Sequence, residues 1–440
     1  MDLLKDNIRQ VYFRYLASAF GGTLISSIYS TVDMAVVGQY HGPHGSAALA
    51  VVAPVWSVIS GLGLLCGIGG GVLFSHARGR RDGEENRWFT VAIGMGMLLG
   101  LIAWAALLLF EEPILRFFGA SCEILPLAMD YLRPVRLVLP LFLLGQLLAS
   151  FLRNDGAPAL ATAAVLAGGI FNIFGDLFFA FGLDLGAYGA GLATAIGCVI
   201  SLLVELTHFL RRKNTLRFCR PDEVLFRVGR IASAGFSAFF LDLAIGILTV
   251  LFNRQIMTYL GDDALAVYGV MMNVGALSQC FAYGVGQAAQ PVLSVNHGAG
   301  ESERVRRTVR LALCSAAVLG LLWTGLCLCA PEGVLRLFMS PTEAVLQMGP
   351  PVVRVYALSF LLLGVNVVTT YCLQSVLQPR RALVVSLLRG LGLSGALILL
   401  LPRISPQALW LAMPLAELGT FAYAVFALQK TMKRDDRAHL

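Results

Sequence analysis

Charge is what this chain lacks. Asp, Glu, Lys and Arg make up 13% of its 440 residues and hydrophobic residues 57%, whereas soluble domains carry roughly 25% charged and about 45–50% apolar residues. Too little charge is present to coat a water-facing surface, which excludes a secreted enzyme, a nucleic-acid binder and a filament. The nine cysteines, Cys66, Cys122, Cys198, Cys219, Cys280, Cys314, Cys327, Cys329 and Cys372, fall mostly inside apolar stretches at unrelated spacings, so no disulfide or metal framework emerges. Histidine is scarce too. His41, His44, His76, His208, His297 and His439 lie mostly in loops or at the ends of apolar runs, without ligand spacing. No Gly-Lys-Ser/Thr phosphate loop occurs, so ATP is not expected as an energy source. The N-terminal MDLLKDNIRQVYFRYLASAF has no short apolar core followed by a small-residue cleavage site, and a removable signal peptide is not expected.

Long apolar runs are what the chain has instead. A helix needs about 20 apolar residues to cross the hydrocarbon of a bilayer. Runs of that order lie near 13–37, 47–74, 88–110, 128–152, 157–183 and 186–210, then near 231–260, 264–295, 308–330, 351–376, 382–402 and 407–429. They predict an all-α polytopic membrane protein of twelve transmembrane helices. Lys and Arg give an independent test, because cytoplasmic loops retain positive charge. With the N-terminus inside, the inside segments collect 25 of the 33 basic residues, and the outside loops three, Arg116, Arg336 and Arg403. Both termini are therefore expected in the cytoplasm and the chain in the cytoplasmic membrane. The net charge of +7 belongs to these loops and calls for no nucleic acid.

The halves resemble each other. Gly79-Arg80-Arg81-Asp82-Gly83-Glu84-Glu85 follows the second run and Gly298-Ala299-Gly300-Glu301-Ser302-Glu303-Arg304 the eighth, 219 residues later. Leu49-Ala50-Val51 recurs as Leu265-Ala266-Val267. Six spans per repeat bring both repeats in from one face, so the expectation is two six-helix bundles related by a pseudo-two-fold axis along the membrane normal. The predicted lobes are 1–210 and 231–440, joined by a basic linker at 211–230. Such a pair is built to rock about a central cavity, the design of a transporter.

An ionisable group near the bilayer centre costs at least about 2.5–3.5 kcal/mol on insertion scales, so it is expected to face a cavity or a partner. In the first half Asp33 and Asp176 meet this condition; Asp130 and Glu205 lie nearer span ends. Asn172 and Asp176 are four residues apart and project from one helix face, where they can share an ion or a proton, or act as glue between helices. Thr194 adds a hydroxyl within the small-residue stretch 186–194. The second half holds Asp242, Arg254, Arg389 and an isolated Glu417, while Asn273, Gln279, Tyr283, Gln287 and Gln290 make the eighth span polar enough to line a wet cavity, or to bond across tightly packed helices. Phe171, Phe174, Phe178 and Phe179, with Met271 and Met272, could form a soft wall for apolar cations or face lipid.

In their order, Val32-Asp33 followed by Gly38, the loop from Gly79, Tyr131-Leu132-Arg133, Arg153-Asn154-Asp155-Gly156-Ala157-Pro158, Asn172 with Asp176, and Gln290-Pro291 leading to Asn296-His297-Gly298 carry a resemblance. Over nearly the whole chain the sequence resembles the multidrug and toxic compound extrusion (MATE) family. The resemblance implies a transporter rather than an enzyme: an antiporter that exports small organic, mostly cationic, compounds as a monomer, by alternating access of two lobes. It needs no cofactor, and its coupling ion is H⁺ or Na⁺. In the prokaryotic branch that the first half resembles, an acid in the first span binds the ion together with a Tyr, an Asn, an Asp and a Thr. Those roles fall on Asp33, Tyr131, Asn172, Asp176 and Thr194. The chain departs from the family at Ala17-Ser18-Ala19, where a proline is common, and at Asp242, about a turn from the glutamate that another branch uses. The alternative is a flippase of a lipid-linked oligosaccharide or other lipid precursor, related in fold, for which Arg254, Arg354 and Arg389 would supply the cationic lining.

Overall fold

A backbone in hydrocarbon must satisfy its own polar groups, and this chain does so entirely with helices. The computed structural model describes residues 3–339 and 341–438, with side chains to residue 433; His439 lies outside the described residues. Among the described residues there is no strand, and twelve helices are long and apolar enough to cross a membrane. They are α1 (Ile8–His41), α2 (Pro43–Arg80), α3 (Glu85–Phe117), α4 (Leu125–Asn154), α5 (Pro158–Gly182), α6 (Gly186–Leu210), α7 (Val224–Tyr259), α8 (Asp262–Gly298), α9 (Ser302–Cys329), α10 (Glu343–Ser375), α11 (Pro379–Ile404) and α12 (Pro406–Lys433). Every predicted run is found. Most helices are longer than their apolar runs, because polar flanks such as His76–Arg80 continue the helix past the hydrocarbon-length segment. Pro43, Pro158 and Pro379 open their helices, where a missing N–H leaves no bond unmade. A further short helix, Pro331–Phe338, precedes α10. With no proline inside it, α1 stays helical throughout, and Thr162 Oγ1 donates to the Ser18 carbonyl at 2.7 Å.

The chain divides into two compact units. Among the described residues, one gathers Ala17–Asp242 with residues 3–5, the other Asp6–Leu16 with the residues from Leu243 to 438. The segment 211–230 and the first half of α7 thus belong to the first unit. Arg227, next to its start, pairs with Glu84 and Asp222 and lies over the Trp88 ring at 4.6 Å.

Inside the first unit, Val37, Leu49, Val52 and Val55 pack with Leu115, Leu132, Val135 and Leu139. Lipid tails are as apolar as leucine, so helices in a membrane associate through close packing at small residues rather than through burial from water. Gly191 shows this: a Cβ there would come 2.0 Å from the Tyr131 carbonyl oxygen. Gly168 repeats it, with a Cβ 2.4 Å from the Gly197 carbonyl oxygen. α6 therefore runs backbone against backbone with both α4 and α5, the helices that carry Tyr131, Asn172, Asp176 and Thr194. In the second unit a buried ring cluster forms around Phe252, stacked on Tyr268 at 4.5 Å and flanked by Tyr356 and Trp410.

Candidate functional site

Four helices of the first unit bring their polar residues to one point. Asp33 comes from α1, Tyr131 from α4, Asn172 and Asp176 from α5 and Thr194 from α6; all five are buried. The Asp33 carboxylate accepts three hydrogen bonds: from Tyr131 Oη at 2.8 Å and Thr194 Oγ1 at 3.1 Å on Oδ2, and from Asn172 Nδ2 at 3.1 Å on Oδ1. Asn172 Nδ2 also lies 3.3 Å from Asp176 Oδ1 and 3.0 Å from Thr194 Oγ1. The structure therefore brings together the whole predicted set, and one amide nitrogen holds both carboxylates.

The spacing explains how. Asn172 and Asp176 stand one turn apart on α5 and so share a face, and the glycine contacts at Gly168 and Gly191 bring α6 close enough for a short threonine side chain to reach Asp33. α5 changes from α-helical to π-helical immediately after Asp176, at Leu177–Gly182, a local rewinding that often marks functional positions.

The electrostatics are unbalanced. The carboxylate oxygens held by Asn172 Nδ2 are no more than about 6.4 Å apart by their distances to that nitrogen, so two unit charges there repel by about 2.5 kcal/mol at an effective dielectric of about 20. Two buried acceptors, Asn172 Oδ1 and Asp176 Oδ2, have no hydrogen-bond partner among the described residues. An orphaned buried polar atom costs about 1–3 kcal/mol. A proton or a small monovalent cation between the carboxyls relieves the repulsion and can partner Asp176 Oδ2, and the oxygen-rich donor set fits either.

The second unit gathers a different cluster. Glu417 is not isolated, correcting the expectation: its Oε1 accepts from Arg389 Nε at 2.8 Å and its Oε2 from Asn366 Nδ2 at 2.7 Å. Arg389 Nη2 continues to Gln279 Oε1 at 3.0 Å, and Gln279 Nε2 donates to Tyr283 Oη at 2.8 Å. Here too a π-helical turn, Leu388–Gly392, carries the charged residue. Of the residues expected to line a cavity, Gln279, Tyr283 and Glu417 come together. Asn273 is exposed and donates to the Gly269 carbonyl of its own helix, and Gln287 lies half-buried, two turns beyond Gln279. Asp242 is half-buried and falls in the first unit. Asn366 is the member that sequence reasoning missed, although an amide inside the apolar run 351–376 was a visible signal. Of the three arginines of the flippase alternative, Arg389 is neutralised by Glu417, and Arg254 and Arg354 are exposed. Phe174 and Phe178 are 68% and 58% exposed, and Met271 is fully buried.

A third cluster went unpredicted. Asp155, in the α4–α5 loop, binds Arg78 at 2.8 Å, His208 Nε2 at 2.7 Å and the backbone N–H of Thr215 at 3.0 Å, and it also accepts from the Thr215 hydroxyl. Burial pushes its carboxyl up, but the bonds from His208 and Thr215 and the charge of Arg78 outweigh that and hold it below the usual carboxylate range.

With the geometry in view, the relatives are informative. The model of the MatE family matches residues 19–178 and again 238–397, two segments that begin 219 residues apart, the spacing of the repeated glycine-rich loops. The multidrug export protein MepA of Staphylococcus saprophyticus is 28% identical, over 84% of this chain and 82% of its own. MepA of Staphylococcus aureus strain NCTC 8325 is 27% identical over the same shares. Among solved structures, a MATE protein in its straight conformation superposes with a TM-score of 0.90 at 19% identity, covering 99% of this chain and 98% of that one. An outward-facing multidrug resistance MATE family transporter of the MOP superfamily superposes at 0.87 with 20% identity, covering 98% of each chain. At those identities the likeness shows the fold alone, whereas the family model covers most of the chain. The chain belongs to the MatE family.

Proposed function

We propose that this protein is a multidrug efflux transporter of the cytoplasmic membrane, exchanging small organic, mostly cationic, compounds for H⁺ or Na⁺ by alternating access. The export proteins it is similar to support the substrate class. The observation that carries the ion coupling is the meeting of Asp33 and Asp176 around Asn172. No basic side chain hydrogen-bonds to either acid among the described residues, so the charge that balances them must arrive and leave.

The five residues divide the work. Asp33 and Asp176 take up the proton or cation. Tyr131 and Thr194 hold the Asp33 carboxylate in position, and Asn172 ties the two acids so that both respond to one ion. Neutralising the pair removes the repulsion and thereby favours the packing of α1, α5 and α6 in which the acids are close. Coupling requires such differential binding, because a ligand shifts an equilibrium only by its preference for one state. At one-for-one exchange of monovalent cations the membrane voltage cancels, and a tenfold ion gradient supplies about 1.4 kcal/mol, enough for tenfold accumulation. The split of basic residues, 25 inside to three outside, supports cytoplasmic termini. The protein acts as a monomer.

Drug efflux from everted vesicles tests this reading. Asp33→Asn, at matched expression, is expected to reduce ion-driven transport at least tenfold, and parent-level transport in that variant would overturn the assignment.

A further inference from the structure

Thr194 is the first of a line. Beyond it, the polar side chains of α6 are Cys198, Ser201, Glu205, Thr207 and His208, and the rest of the helix to Leu206 is Ala, Ile, Gly, Val and Leu. Steps of four, three, four and three place Thr194, Cys198, Ser201, Glu205 and His208 within about 40° of one line at 3.6 residues per turn. Thr207 falls off the line and is exposed.

Glu205 is the member that nothing above employs. It is 2% exposed, and its Oε2 has no hydrogen-bond partner among the described residues. It packs against α4 at Gly145, where a Cβ would come 3.6 Å from Glu205 Oε2. The charge acting on it from α4 is Arg153. Along α6 its titratable neighbours are Cys198, within electrostatic reach of both Asp33 and Glu205, and His208, bonded to Asp155. Ser201 lies between, donating to the Ala164 carbonyl of α5 at 3.0 Å. Thr194 and Glu205 are about 16 Å apart along the helix at 1.5 Å per residue. A buried acid with an unmade bond is costly in a membrane helix and is retained for a task.

We propose that Glu205 is the relay carboxyl that receives a proton from the Asp33–Asp176 site and passes it to the cytoplasm, which makes the coupling ion a proton. This rests on the reading of Asp33 and Asp176 as the coupling site and goes one step past it. The transfer balances without redox change. An O–H bond at the Asp33–Asp176 pair breaks as one forms on Glu205, and the Glu205 O–H then breaks as the proton passes to water at the linker end of α6. The Thr194 and Ser201 hydroxyls each donate and accept, and the Cys198 thiol is a weak donor. A metal cation needs several oxygen ligands at one point. This line spreads one carboxyl, two hydroxyls, a thiol and an imidazole over about four turns, which suits a proton.

The test is substrate-driven proton movement in liposomes holding the purified transporter, with ethidium as the organic cation and a pH dye inside, alongside ethidium binding in detergent. Glu205→Gln is expected to keep ethidium affinity within about threefold while lowering proton flux at least tenfold. Glu205→Asp is expected to recover part of the flux with a shifted pH profile. Asp33→Asn is expected to abolish flux, and replacing Na⁺ by K⁺ to leave the parent unchanged. Parent-level flux in Glu205→Gln with a dead Asp33→Asn overturns the relay and leaves the coupling site standing. Parent-level flux in Asp33→Asn overturns both. A flux that requires Na⁺, or a Glu205→Gln protein whose binding falls with its flux and is not rescued by Asp, also refutes the relay.

Discussion

Replacing Asp176 by Asn is expected to make the protein more stable and to stop it working. Two penalties in the first unit converge on this side chain. One is the repulsion between carboxylates held on a single amide nitrogen at 3.1 and 3.3 Å, worth about 2.5 kcal/mol at an effective dielectric of about 20 when both are charged. The other is the unpartnered Asn172 Oδ1, an orphan that costs about 1–3 kcal/mol. An asparagine at 176 keeps the shape, removes the charge and offers an N–H one turn from Asn172. Allowing for incomplete rearrangement and partial protonation of the parent, the net gain is about 1–3 kcal/mol. Thermal unfolding in detergent at neutral pH, without sodium or substrate, measures it. Ion-driven efflux in vesicles is expected to fall at least tenfold in the same variant. Destabilisation by more than about 1 kcal/mol would show that the pair is held by a favourable contact that this electrostatic account lacks. Retained coupled transport would show that Asp176 is a structural acid.

Other perturbations separate the clusters. Arg389→Gln leaves Glu417 buried without its counter-charge and is expected to cost about 3–5 kcal/mol; Arg389→Gln with Glu417→Gln restores most of it, and additive losses in a double-mutant cycle would refute the pairing. Asp155→Asn is expected to cost about 1–3 kcal/mol near neutral pH. Because the folded Asp155 carboxyl lies below its usual range, its contribution is present above the unfolded value of about 4 and is lost as pH falls through the folded one. Stability curves of parent and variant should therefore converge in acid, and a constant gap would refute the assignment. Gly191→Ala puts a methyl 2.0 Å from the Tyr131 carbonyl oxygen and is expected to cost about 1–3 kcal/mol by forcing α4 from α6, with loss of transport; wild-type unfolding would mean that the seam is slack.

How much of this could be read from the amino acids depends on the kind of signal. Twelve helices followed from run length, because hydrocarbon thickness leaves little freedom in where a span can lie. The Asp33–Asp176 cluster was legible because acids inside apolar runs are conspicuous, and because Asn172 and Asp176 share a helix face at any register. The Glu417–Arg389 pair was not assembled, since the partners lie on different helices 28 residues apart and no periodicity links them. Asp155 escaped for the opposite reason. It reads as one more charged loop residue, and its burial depends on His208 at the end of α6 and on Thr215 folding back from the segment after it.

The asymmetry between the units is where the coupling argument finds its sharpest support. Each unit contains a helix interrupted by a π-helical turn, with an intramembrane charge at the turn or immediately before it. In the first unit the charges are two acids with no fixed cation bonded to them; in the second, an acid is bonded to a guanidinium at 2.8 Å. A carboxylate that carries its own counter-charge has no use for an ion from solution, and separating that pair costs about 3–5 kcal/mol, more than a tenfold gradient provides. On the proposed function the second unit is therefore indifferent to the coupling ion, and the transported charge is set by Asp33 and Asp176 alone. Freeing Glu417 by Arg389→Gln would create a second ion-seeking acid. The measured ratio of ions moved per substrate exported should then rise in that variant, and an unchanged ratio in a folded, active Arg389→Gln protein would refute the argument.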